Sequence, residues 1–148
     1  MKKLIWIIAA FITLNVAAAD TNPVLNEKVL KSFELVFAHA EQVKWKQEKD
    51  NNEASFKVND MLVRAVFDDN GKLIRTIRYY REEQLPAIIR YRLKKKFEKQ
   101  HIANVSELSI NDEVTYYVTL KDEQYLVNAV VNGNGQIVTS KKYRRGDL

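Results

Sequence analysis

The sequence predicts an α+β fold, with two helices packed on one face of an approximately eight-stranded antiparallel sheet. The chain reads as a tandem repeat of a helix followed by a four-stranded meander, and three observations point there. Residues 61–71 read MLVRAVFDDNG and residues 125–135 read YLVNAVVNGNG, nearly one phrase written twice at an offset of 64. Two segments carry apolar residues at helical spacing, and each is followed by stretches in which apolar and polar residues alternate. There are no cysteines, so no disulfide framework competes with packing as the source of stability.

The N-terminus has Lys2 and Lys3, an apolar run from Leu4 to about Val16, and then Ala17-Ala18-Ala19. A basic start, a short apolar stretch and an A-x-A site define a secretory signal peptide over residues 1–19. The run is short for a membrane span, which needs about 20 apolar residues. Mature residues 20–148 are then expected to form one domain, with repeats at about 22–80 and 85–143. Removing the two leader lysines lowers the formal charge from +5 to +3, too small an excess to imply nucleic acid. The absence of cysteine also excludes a lipoprotein anchor.

Asn22-Pro23 is read as the first helix start. Leu25, Val29, Phe33 and Phe37 recur every fourth residue, with Leu30 and Val36 widening the stripe, to about His39. Leu85-Pro86 opens a second helix, with Ile89, Leu93 and Phe97 on its buried side. The same shift of 64 pairs Leu25 with Ile89, Val29 with Leu93 and Phe33 with Phe97. Strands are expected near 43–49, 53–58, 61–67 and 73–80, and again near 105–111, 114–120, 124–131 and 137–143. Asn70-Gly71 and Asn134-Gly135 supply hairpin turns, because both residue types tolerate positive φ.

Two helices on one side leave the other sheet face open. Alternation sends Ala54, Phe56, Val58, Val63, Ala65 and Phe67 inward, along with Val114, Tyr116, Val118 and Leu120. Lys44, Lys46, Lys57 and Arg64 of the first unit, and Tyr117 and Asn128 of the second, then face the open side. These six are the candidate partner-binding residues. The open face reads as basic in the first unit and as neutral with an aromatic in the second.

Val43-Lys44-Trp45, Phe67-Asp68-Asp69-Asn70-Gly71, Leu85-Pro86 and Tyr116-Tyr117 follow one another in an order that resembles a family of exported bacterial proteins. The family is the PepSY-like, beta-lactamase-inhibitor-like group, of Bacteroidetes type and mostly without established function. The resemblance spans essentially the mature chain. It departs at VNGNG in the second hairpin and at Phe97-Glu98, which lacks an aromatic-proline pair. It implies two helices with eight strands, a periplasmic or secreted location, and a role in binding or restraining another protein.

Recognisable catalytic chemistry is missing from the sequence. His39 and His101 are the only histidines, they lack metal-ligand spacing, and His101 is read as a helix-end packing residue. Serines 32, 55, 106, 109 and 140 lie in no nucleophile elbow. Asp68-Asp69-Asn70-Gly71 fails the calcium-loop spacing, since glycine comes fourth rather than sixth, so a turn is expected. The basic stretch at 90–96 is expected on the solvated side of the second helix, with an acidic protein or lipid headgroups as the functional alternatives. Arg145-Gly146-Asp147 is too short a motif to indicate adhesion and reads as a polar tail.

The leading expectation is therefore a non-enzymatic, exported binding module, an inhibitor or regulator, without cofactor or metal. Its partner would be another envelope or secreted protein, of acidic character if the basic open face is used. It would have no nucleic-acid role and no transmembrane anchor after cleavage. A periplasmic small-ligand carrier with a cavity between sheet and helices is the alternative, and an envelope enzyme is third.

Overall fold

In a computed structural model describing residues 23–146, helix α1 (Glu27–Val36) leads into strands β1 (Glu41–Glu48), β2 (Asn51–Val58), β3 (Met61–Asp68) and β4 (Leu73–Tyr80). A short 3-10 turn at Glu82–Gln84 precedes helix α2 (Ala87–Lys96) and strands β5 (His101–Ile110), β6 (Glu113–Lys121), β7 (Tyr125–Asn132) and β8 (Ile137–Arg144). All eight strands form one antiparallel sheet in the order β1 to β8. The α+β expectation holds. The leader and the last residues, Asp147 and Leu148, lie outside the described residues.

Helix α1 starts later than the sequence suggests. Asn26, not Asn22, is its cap, and the Asn26 side chain accepts the Lys28 N–H at 3.0 Å. Glu27 follows in the first turn, at the positive end of the helix dipole. The helix ends at Val36, capped by Phe37, so its buried stripe is only Val29 and Phe33. Leu25 precedes the helix, and Leu30 and Val36 are exposed. Phe33 nevertheless anchors a dense aromatic group, with ring centroids 5.0 Å from both Trp45 and Phe56 and 6.3 Å from Phe67. Tilted and edge-on rings at such distances add to the gain from area burial.

In the second half, Ile89 and Leu93 point inward as expected and pack on Val105, Val118, Leu120, Val127, Ala129 and Val131. The two halves correspond at 64 residues only in their last two strands. The helices correspond at 60, placing Val29 with Ile89, Phe33 with Leu93 and Phe37 with Phe97. The difference arises because β5 is two residues longer than β1 and β6 is one longer than β2. The connection after β6 is also longer. His101 therefore opens β5 as an exposed residue rather than packing at a helix end.

The turns divide into two kinds. Asn59-Asp60 and Asn111-Asp112 all have positive φ, between 47° and 65°, the conformation of a two-residue turn matched to strand twist. At the repeated Asn-Gly, only glycine adopts positive φ, 83° at Gly71 and 78° at Gly135. There the loop is longer, with the Gly71 N–H donating to the Asp68 carbonyl and the Asp68 N–H donating to that of Lys72, each at 3.0 Å. Each hairpin tip is tucked against its own helix. Asn26 Nδ2 donates to the Asp69 carbonyl at 3.1 Å, and Arg92 Nη1 donates to the Asn134 carbonyl at the same distance.

Between the two helices the inner sheet face is polar. Arg78 on β4 and Glu107 on β5 are cross-strand neighbours, joined by an ion pair at 2.6 Å. The Tyr80 hydroxyl donates to the other Glu107 oxygen at 2.6 Å. Tyr80 is itself part of the buried cluster beneath α2, so this group forms a polar border to that cluster. Burial, then the Glu107 carboxylate, push the Tyr80 phenol well above its usual range, and burial does the same to Tyr116.

Two predictions arise here. A Cβ on Gly71 would lie 2.6 Å from the Lys28 carbonyl oxygen, whereas one on Gly135 would meet nothing nearer than Arg92 at 3.4 Å. Gly135→Ala is expected to cost about 1–2 kcal/mol for its left-handed backbone. Gly71→Ala is expected to cost roughly 1–3 kcal/mol more for the collision with α1. Equal losses in urea unfolding would contradict the tucked geometry. Second, Tyr80→Phe is expected to cost about 1.5–3 kcal/mol at neutral pH by removing a bond to a charged acceptor. The wild-type contribution is complete below about pH 10 and falls as pH rises beyond it, because unfolded Tyr80 ionises first. Unfolding measured from pH 8 to 11 should show Tyr80→Phe losing part of that slope; an unchanged slope would remove Tyr80 from this role.

Candidate functional site: the open sheet face

Inward positions on each strand fix which side chains face away from the helices. Ala54, Ala65 and Thr76 are buried on the helix side of β2, β3 and β4. Their sequence neighbours Ser55, Arg64 and Ile77 consequently form a row on the opposite face, continued by Lys44 on one side and Leu108 on the other. A second row crosses seven strands, from Lys57 through Leu62, Tyr79, Ser106, Tyr117 and Val130 to Thr139.

All six candidate residues stand on this one face. Lys44 and Lys46 lie on the outermost strand β1, Lys57 on β2, Arg64 on β3, Tyr117 on β6 and Asn128 on β7. At a strand spacing of about 4.8 Å, β1 and β7 are roughly 29 Å apart. No small ligand can touch both ends, so only a broad surface engages the whole set. Asn128 itself accepts a hydrogen bond from the Thr119 hydroxyl at 3.2 Å.

The expected basic character of the first half needs correction. Arg64 is paired with Glu53 at 2.6 Å, and Lys46 with Glu48. Glu53 stands beside both Lys46 and Val66 in the strand register, so the carboxylates share the open face with the cations. Hydrogen bonds that Arg64 donates to Glu53 and then to Tyr79 hold its guanidinium even more firmly charged than usual, and Lys46 holds the Glu48 carboxyl below its usual range. Lys44 and Lys57 are in no ion pair among the described residues. The result is a mixed-charge border at the β1 side.

The centre is more apolar than the six candidates suggest. Leu62, Ile110 and Tyr117 are 42%, 39% and 47% exposed, and Ile77, Leu108 and Val130 are half-buried beside them. Alternation along β3 to β5 contained this signal, but β5 was expected to start at residue 105. Toward β1 the sheet dips into a recess of about 240 Å³ with Val66 and Ile74 at its base and Lys46, Glu53, Arg64 and Arg75 around it.

Other constellations are taken up structurally. Asp68 Oδ1 accepts the N–H groups of Asn70 and Lys72, both at 2.9 Å, which occupies it in the turn. Among the described residues no group of three or more metal-ligating side chains is assembled. Between α1 and the sheet, the aromatic group around Phe33 fills the space that a ligand carrier would need. Among the described residues no helix is long and apolar enough to cross a membrane.

No protein-family model matches the chain, and no curated protein matches it significantly. Solved structures do match. A BLIP-like protein from Bacteroides fragilis superposes with a TM-score of 0.65 at 16% identity, over 83% of this chain and 89% of that one. A DUF2874 family protein from Bacteroides ovatus gives 0.64 at 13% identity, over 81% and 89%. A protein from Bacteroides eggerthii, provisionally described as periplasmic, gives 0.62 at 14% identity, over 81% and 90%. The chain thus has the fold of BLIP-like and DUF2874 proteins of Bacteroides, the kind of protein its sequence motifs resemble.

Proposed function

We propose that the chain is a non-enzymatic, exported binding module that holds another protein on its open sheet face and thereby inhibits or regulates it. One observation carries this reading: the row Leu62–Tyr79–Ser106–Tyr117–Val130, an aromatic and aliphatic band that no helix covers. An uncovered apolar centre with charges at its border matches the anatomy of protein interfaces, whose core is desolvated and whose rim stays wet. Tyrosine is suited to that centre because it brings large area and a polar tip at low conformational cost. The paired charges around Arg64 and Glu53 would set orientation and reject mismatched partners more than they would add affinity.

Export rests on the leader motif together with the likeness to a protein provisionally described as periplasmic. The domain would comprise residues 20–148, with Lys44, Lys46, Lys57, Arg64 and Asn128 at the border of the contact and Tyr117 at its centre.

The test is capture of a stoichiometric partner from envelope extract, followed by affinity measurement with Leu62→Ser and Tyr117→Ala. Both side chains are about half exposed, so thermal stability should change little. Each replacement should weaken binding by about 1–3 kcal/mol, and the pair should abolish capture. Unchanged affinity in the doubly substituted protein would place the interface elsewhere.

A further inference from the structure

Helix α2 carries an unusual share of the charge. Its ten residues, AIIRYRLKKK, hold five cations and no carboxylate, while the formal charge of the whole chain is only +5. The corresponding helix α1 is balanced, with Glu27 and Glu34 against Lys28 and Lys31. Nearby interactions absorb part of the excess: Lys94 pairs with Glu82, Arg90 donates to the Glu82 carbonyl at 3.5 Å, Arg92 donates to the Asn134 carbonyl, and Lys96 lies over the Phe97 ring. Glu83 and Glu98 are exposed near the helix ends. Among the described residues, Lys95, Lys96 and Lys99 are in no ion pair.

Apolar side chains accompany these cations. Ile88 is 52% exposed and Tyr91 is 61% exposed. Ile88, Tyr91 and Lys95 follow one another at i, i+3 and i+7, on the side of the helix not occupied by the buried Ile89 and Leu93. On the same side of the sheet, α1 exposes Leu35 at 85%. Cations in a last helical turn complement the helix dipole, which accounts for lysines at 94–96 but not for Tyr91 or Ile88.

We propose that this outer face of α2 docks the protein on an anionic lipid surface. Ile88 and Tyr91 enter the headgroup region, and Lys95 and Lys99 face the lipid anions, with Lys96 at the flank of the face. The shape favours lipid over an acidic protein. The patch is a convex helix standing on a sheet, with single apolar side chains separated by cations, whereas a protein interface wants a contiguous desolvated core. Headgroups accept isolated apolar and aromatic side chains flanked by lysines whose stems bend toward the anions. This surface lies on the opposite side of the sheet from the proposed protein-binding face, so the two do not compete and can fail independently.

The test is co-sedimentation of the purified protein with vesicles of phosphatidylcholine alone or with about 30 mol% phosphatidylglycerol at about 0.1 M salt. Anionic vesicles should bind at least roughly tenfold more tightly, and binding should fall several-fold at about 0.5 M salt. Lys95→Glu with Lys96→Glu and Lys99→Glu should abolish the preference, while Lys141→Glu on the opposite face should leave it unchanged. Ile88→Ser with Tyr91→Ala should weaken binding several-fold at constant charge. Equal binding to both vesicles, or persistence of the preference after charge reversal, would overturn the proposal. So would soluble polyglutamate that competes as well as the vesicles, or binding indifferent to Ile88 and Tyr91.

Discussion

Everything in this structure follows from how little of the sheet two short helices can cover. Seven strand spacings make the sheet roughly 34 Å wide. Strands of about eight residues are about 26 Å long. A ten-residue helix is only about 15 Å long and about 10 Å across, so the pair covers roughly a third of one face. Each helix also has a narrow apolar stripe, Val29 and Phe33 in α1, Ile89 and Leu93 in α2. The buried clusters are consequently two rather than one, each beneath its own helix. What remains uncovered must be polar, paired or used.

The seam between the clusters shows the polar and paired solution. At β4 and β5 the inner face could have exposed apolar side chains to water. It carries instead Arg78, Glu107 and the Tyr80 hydroxyl, joined to one another across the strands. A half-satisfied group there would cost more than an apolar one, which makes the Tyr80 hydroxyl as consequential as the ion pair. The opposite face shows a different solution. Leu62, Ile110 and Tyr117 stand exposed among charges, and the simplest physical reason to keep them there is contact with something else.

Much of this was legible in the residues. Two-residue alternation correctly divided Val114, Tyr116, Val118 and Leu120 from Thr115, Tyr117 and Thr119, because a strand offers only two directions. The same rule put all six candidate residues on one face. Register was not legible. Glu53 becomes the partner of Arg64 only through β2–β3 pairing, so charge on the open face was overcounted as basic. The helix correspondence was misjudged because Leu25, Val29, Phe33 and Phe37 give a four-residue period that fits a shift of 64 as well as one of 60. Only the lengths of β5, β6 and the connection after β6 decide between them. Asn59-Asp60 and Asn111-Asp112, the true positive-φ turns, were overshadowed by the more familiar Asn-Gly.

The two exposed surfaces have opposite character and opposite direction. One is a broad apolar band bordered by paired charges, the other a cationic helix with single apolar side chains. The claim that the sheet, rather than a helix or an edge, receives the protein partner can be read directly by hydroxyl-radical footprinting of the protein free and in complex. Leu62, Tyr79 and Tyr117 should become protected while Leu35, Ile88 and Tyr91 remain reactive. Protection confined to the helices or to the edge strands β1 and β8, with Leu62, Tyr79 and Tyr117 still reactive, would contradict it.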